Sequence, residues 1–440
     1  MRREVDVLGG GLLFSCLLVL GLLVVSAIEP DRRFARLYRQ LFIAAMVLRF
    51  AASLAIYVFG FVNVLGDEDA LAWEGAAAIY ADWSQRGLGV ADLPAAWTKA
   101  FQSPMSIIGY QFMVATLFFL TDEPSRLLPA VLNNFFGAMT VVLAARVGSS
   151  LFSPWVGSRV GWCACLFPSL IVWSAQTLKE PVIIFLETIA LYACIRLQGS
   201  RASLGPVVAC ATSIVFLVCF RFYAAYVTAA VIFLTLAVPH VRSGRTRFGA
   251  ALAVGAIVAP VLILTGALAQ HEAAIVSFDL RRLQDFRDWS SHYAASGVPL
   301  TYDLGTPIGF LLSLGIGAMH LLLAPFPWQL STGSTRMLLT LPEIVVWWWL
   351  VIVGLLPGLR LAVRARFASV QPLVYFILGM AVVYSLTFSN LGLIYRQRAQ
   401  LLPWLLVFVM VGLEQRAARK RMVIAGSRAS IPLAATSLPP

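Results

Sequence analysis

Three adjacent carboxylates, Asp67-Glu68-Asp69, follow directly on a long apolar run. Packed side by side they repel one another, so one can retain its proton or the set can hold a cation. At a membrane boundary such a carboxylate can also take the proton of an acceptor hydroxyl. Asp is equally a good helix N-cap and Leu71-Ala72 open a helical stretch, so a solvated cap accounts for the cluster as well. A second constellation is Lys179-Glu180-Pro181, with Glu187 further along. Seven residues make two helical turns, which puts Glu180 and Glu187 on one face, about 10 Å apart along the axis. An unpaired Glu187 in lipid would be costly, so that face looks into protein or water, and an interhelical ion pair is the plain alternative. The third set is arginine. Arg221 sits among Phe220, Phe222, Tyr223 and Tyr226, and Arg396 and Arg398 lie in Tyr395-Arg396-Gln397-Arg398. A guanidinium amid apolar and aromatic residues suits a phosphate, with interface snorkelling as the alternative.

These groups are positioned by membrane helices. Of 440 residues, 60% are hydrophobic and 12% charged, against about 25% charged in soluble domains. That composition excludes disorder, collagen, coiled coil and a secreted disulfide scaffold. It implies an all-α, polytopic transmembrane bundle of about 10–13 segments at roughly 20 residues each. The net charge of +12 comes from 33 basic and 21 acidic residues. The basic ones fall in short loops, which is the positive-inside pattern rather than a nucleic-acid surface. The four histidines lack metal-ligand spacing, and the six cysteines lie in apolar runs without a CxxC. Walker, H-E-x-x-H and nucleophile-elbow motifs are absent.

The charge rule puts the N-terminus outside, the turns after Arg32, Arg146, Arg196, His240, Arg360 and Arg416 inside, and 66–103, 270–305 and 389–398 outside. We expect one integral membrane domain over 1–421 and a disordered cytoplasmic tail over 422–440. The 35-residue apolar stretch 205–239 reads as two spans meeting at an outer turn at Arg221. Arg49 is expected to extend its stem towards the inner interface. Asp279–Trp289 in the second outer loop is amphipathic, with Leu280, Leu283, Phe286 and Trp289 at three-residue spacing. Charge leaves open whether 104–120 and 306–324 cross; for the first, a segment that does not cross fully is favoured.

In order, these residues resemble the GT-C superfamily of membrane glycosyltransferases, nearest to the protein O-mannosyltransferase and lipid A aminoarabinose transferase type. The resemblance runs through Gly66-Asp67-Glu68-Asp69-Ala70, Trp73 and Tyr80. It continues with Ser103-Pro104, similar to the family's His-Pro-Pro segment, the helix Leu127–Val141, and the segment from Pro168 to Pro181. It covers about 40–200 well. It implies a GT-C type bundle using a polyprenyl-phosphate sugar donor at the outer face. Asp67 or Asp69 is then the general base and Glu180 the second acid near a metal or acceptor. Arg221, Arg396 or Arg398 hold the donor phosphate, with Glu68, Lys179 and Tyr223 as further substrate contacts. Ser103 replaces the family's His, Lys-Glu replaces its usual second Asp, and a large soluble C-terminal domain is not expected. A glycan or lipid-linked acceptor is therefore expected rather than a peptide, with membrane lipids as further partners and no nucleic acid. A divalent metal is left open as the one cofactor. The expected location is a bacterial inner membrane. An O-antigen-type polymerase or ligase, and a lipid or polysaccharide transporter, are the competing classes.

Overall fold

The computed structural model describes residues 6–29, 31–65, 70–103, 107–199, 203–237, 244–269, 279–294, 296–300, 302–332 and 340–429. Asp67, Glu68 and Asp69 lie outside them. Among the described residues the protein is all-helical, without a strand, and it is a polytopic membrane bundle.

The first half comprises α1 (Val7–Ile28), α2 (Arg32–Tyr57), α3 (Val62–Leu65), α4 (Ala70–Gln85), α5 (Leu93–Gln102), α6 (Ile108–Thr121), α7 (Leu127–Leu151), α8 (Pro154–Leu166) and α9 (Pro168–Ser174). The second comprises α10 (Glu180–Leu197), α11 (Leu204–Phe220), α12 (Phe222–Ala237), α13 (Gly244–Leu264), α14 (Leu280–Tyr293), α15 (Pro307–Leu323), α16 (Leu341–Leu350), α17 (Leu356–Leu386) and α18 (Leu391–Ala429). Local chemistry starts several of them. Asp31 caps α2, Ser153 caps α8, Asp279 caps α14 and Thr306 caps α15, each side chain accepting from a backbone N–H of the first turn. Proline occupies the first turn of α8, α9, α10, α15 and α16, where its missing N–H costs nothing.

Six helical stretches are long and apolar enough to cross a membrane, and α8 with α9, bent by 58°, would make a seventh. α6, α11, α12 and α15 are shorter apolar helices, and α10 carries Glu180, Glu187 and Arg196. α18 is the central helix: every residue from Gln397 to Gly412 is buried, as expected of a helix apolar all round. α1 lies at the periphery, with Leu8, Leu12 and Leu23 exposed.

The arginine-rich turns gather at one end. Tyr38 bonds Ser149 at 3.2 Å, Arg366 bonds the Leu151 carbonyl at 2.6 Å, and Ser153 bonds Glu414 at 2.5 Å. The opposite end is called outer below. There the Asp6 N–H donates to Ser125, and α14 is tied to the 388–390 turn through Arg287–Phe388 and Asn390–Ser290. The turn at Arg221 is as tight as expected, one residue between α11 and α12. Both ends of α6 lie at the outer end. Tyr110 accepts from Asn133 near the start of α7, and Tyr80 donates to Asp122 just past its last residue at 2.6 Å. α6 therefore does not cross.

Two expectations are corrected, and the course left open for 306–324 is answered. Arg49 does not reach an interface. It is 1% exposed and donates to the carbonyls of Ala45 and Ala164, the latter next to the α8/α9 break. Bending a helix frees carbonyls that lipid cannot solvate, and a guanidinium satisfies them. The tail expected to be disordered from 422 is helical through Ala429. α15 enters from the outer loop but stops inside the bundle. Its last carbonyls, Leu322, Leu323 and Ala324, accept from Trp347 (2.6 Å), Trp348 (2.8 Å) and Arg398 (2.7 Å).

α16 and the π-helical turn Val351–Leu355 run alongside α18 in the same direction, with Glu343 against Tyr395 and Gly358 against Phe408. α17 breaks at Arg366 (φ −142°, ψ 29°), and its second part returns so that Tyr384 meets Gln400. Glycine permits the first contact. A Cβ on Gly358 would lie 1.9 Å from the Phe408 carbonyl oxygen, and one on Gly412 2.1 Å from that of Gly354. Such close backbones gain dispersion where lipid offers no hydrophobic drive. Gly358→Val should lower the thermal midpoint of the detergent-purified protein by an amount matching about 1–3 kcal/mol of overpacking. An unchanged midpoint would refute the contact.

Candidate active site

The site is assembled where α10, the α11/α12 turn, α17 and α18 meet near the outer end. Glu180 opens α10 and is 3% exposed. Its Oε1 accepts from Arg221 at 2.8 Å and lies 3.5 Å from Nε of Arg396. Arg221 also donates to Gln400 Oε1 at 2.9 Å and to Tyr384 Oη at 3.3 Å, and stacks over Tyr223 at 5.6 Å. Gln400 accepts from Tyr384 and donates through Nε2 to Glu187. Glu180 and Glu187 thus share a face as their spacing predicts, and a chain of hydrogen bonds through Arg221 and Gln400 joins them. Glu187 is the deeper end of this chain and is fully buried.

With every group ionised, Lys179, Arg221 and Arg396 bring three positive charges against the two of Glu180 and Glu187. The cluster therefore carries an excess positive charge in an apolar bundle. Arg396 is more open than Arg221: its side chain is 25% exposed, against 6%.

The segment leading into Glu180 is pinned to the end of α2 and α3. The Thr177 N–H donates to Tyr57 Oη at 3.1 Å, Gln176 Nε2 donates to the Leu65 carbonyl at 3.2 Å, and Asn133 Nδ2 donates to the carbonyls of Gln176 (2.6 Å) and Leu178 (2.7 Å). Leu65 is the last described residue before Asp67-Glu68-Asp69. The described chain before these carboxylates thus ends on a residue bonded to Gln176, four positions before Glu180.

Of the expected site residues, Glu180, Lys179, Arg221, Tyr223 and Arg396 are brought together. Arg398 is not in that cluster. It is 2% exposed, caps α15 through Ala324, and lies over Tyr395 at 4.5 Å. Asp67, Glu68 and Asp69 are outside the described residues. Sequence reasoning missed Gln400 and Tyr384, whose signal was a polar group within an apolar run. It also missed Glu343, which accepts from Tyr395 Oη at 2.6 Å and from the Ser169 N–H at 2.7 Å, holding the start of α9. Among the described residues no three His, Cys, Asp or Glu side chains are grouped to hold a metal.

No protein-family model matches the chain, and no curated protein matches it at a significant level. Among solved structures it is similar to the archaeal oligosaccharyltransferase AglB from Archaeoglobus fulgidus, in complex with an inhibitory peptide and a dolichol-phosphate. The identity is 10% and the TM-score 0.49, over 88% of this chain and 52% of that one. The chain thus spans about half the length of that structure, and a likeness this distant fixes neither activity nor ligand.

Proposed function

We propose that the protein is a multi-pass glycosyltransferase of a bacterial inner membrane, moving a sugar from a polyprenyl-phosphate donor to a glycan or lipid-linked acceptor at the outer face. The observation that carries this reading is the convergence of Arg221 and Arg396 on Glu180, with Lys179 adjacent, in an otherwise apolar bundle. An excess of cationic charge out of water favours an anion, and a lipid phosphate can reach it sideways through the bundle. In the reaction the acceptor oxygen attacks the anomeric carbon. The bond from that carbon to the phosphate oxygen breaks, its electron pair leaves on the phosphate, and the acceptor proton goes to Asp67 or Asp69. Arg396, more open than Arg221, meets the phosphate. Arg221 holds Glu180 towards the acceptor and adds charge behind it. Glu68 and Lys179 complete the substrate contacts. The leaving phosphate is supported by these cations, and a divalent ion on Asp67, Glu68 and Asp69 would add charge of the same sign.

Transport is the second reading, favoured by the 58° bend between α8 and α9, since broken helices line transport sites. Against it, the polar groups that the bend frees are occupied by Arg49 and Glu343. Purified protein in vesicles with radiolabelled polyprenyl-phosphate sugar separates the two. Transfer of label to an acceptor fraction is expected, and translocation of intact donor without transfer would sink the proposal. Arg396→Ala should weaken donor binding roughly tenfold or more, the loss of about 1.5–3 kcal/mol from a charged hydrogen bond, with a smaller effect on fold stability. Normal donor affinity in that variant would remove the phosphate role.

A further inference from the structure

At the end opposite the candidate active site, α17 and α18 enclose a groove of about 850 Å³ whose lining is divided by height. Ile352, Leu356, Arg360 and Arg364 recur every four residues along one stripe, so two apolar turns lead into two cationic ones. Gln415 and Arg419 face them from α18. Leu356 and Arg364 are about 12 Å apart along the axis, from 1.5 Å per residue. Ile352 is 69% and Leu356 56% exposed, so the apolar wall opens outward where lipid chains run.

Three arginines at one rim would normally be neutralised in part. Here the lining contains no carboxylate, and among the described residues Arg360, Arg364 and Arg419 make no ion pair. The groove on the other side of the same segment differs. It contains Glu414, bonded to Ser153 at 2.5 Å, and its Arg366 is occupied by the Leu151 carbonyl. Generic positive-inside charge does not explain why one groove has an internal acid and the other has none.

We propose that the α17/α18 groove binds one anionic phospholipid of the adjoining leaflet. Its phosphodiester sits between Arg360, Arg364 and Arg419, and an acyl chain lies along Leu356 and Ile352. Basic pockets between membrane helices take such headgroups because the guanidinium fork matches phosphate oxygens while the wall buries the chain. The proposal stands apart from glycosyl transfer and is tested without it.

The test is native mass spectrometry of the purified full chain with phosphatidylglycerol and phosphatidylcholine of identical acyl chains. The wild type should retain phosphatidylglycerol preferentially, and excess inorganic phosphate should not displace it. At about fivefold per surface arginine, R360Q/R364Q/R419Q should lower phosphatidylglycerol retention roughly a hundredfold while phosphatidylcholine retention is unchanged. R32Q/R33Q/R36Q, which removes equal charge from the same end, should leave the preference intact. Equal loss in that control would reduce the site to diffuse charge. Displacement by inorganic phosphate would make it a site for free phosphate, and absence of headgroup preference would overturn it. If the triple variant does not fold, Arg364→Gln and Arg419→Gln are read singly, each with about a fivefold loss expected; no loss in either overturns the site.

Discussion

Glu180→Gln should abolish transfer and also lower the thermal midpoint sharply. The carboxylate accepts from Arg221 at 2.8 Å, and both partners are almost entirely buried. Removing one member of a buried pair leaves the other charge without compensation, at a cost of about 3–5 kcal/mol. The companion experiment separates stability from chemistry. In E180Q/R221Q the deeply buried guanidinium is removed with its acid and only the more open Arg396 loses its partner, so the midpoint should recover most of the loss, while transfer stays absent because both the acid and its guanidinium are gone. A double variant no more stable than E180Q would show that the pair is not coupled as the geometry requires. Recovery of transfer along with stability would remove Glu180 from the chemistry and make it a structural anchor for the α11/α12 turn.

The largest effect on rate alone is expected at the carboxylates that follow Leu65. A general base contributes about 10²–10⁴-fold. Asp67→Asn or Asp69→Asn should therefore cut turnover by that factor in a protein that still folds and binds donor. Asparagine keeps the size and the capping ability of aspartate, so a mere helix cap would survive either change. Turnover and donor affinity measured on the same preparation decide the matter. Full activity in both single variants and in the double would leave the proposed reaction without its base.

Much of this architecture is legible in the sequence. The tight turn at Arg221 and the shared face of Glu180 and Glu187 follow from hydrophobic run length and helical period, whereas the outer loop expected over 389–398 is helical from Leu391, with Arg398 buried. Run length fails where a helix enters and stops. Charge placement already favours a non-crossing α6, but the stop of α15 inside the bundle leaves no mark in hydropathy, because an apolar helix reads the same whether it crosses or turns back.

The arginines show most clearly what only the tertiary structure decided. In sequence, Arg49, Arg221, Arg396 and Arg398 are the same object, a guanidinium beside apolar residues. In the fold, Arg49 and Arg398 satisfy carbonyls at a broken or buried helix end, as Arg287 does at Phe388 and Arg366 at Leu151. Arg221 and Arg396 instead converge on a carboxylate. Local sequence determines where a cation stands on its own helix. Whether it meets a neighbour's orphan carbonyl or a neighbour's acid depends on where that other helix ends, and helix ends far apart in the chain become neighbours only through packing.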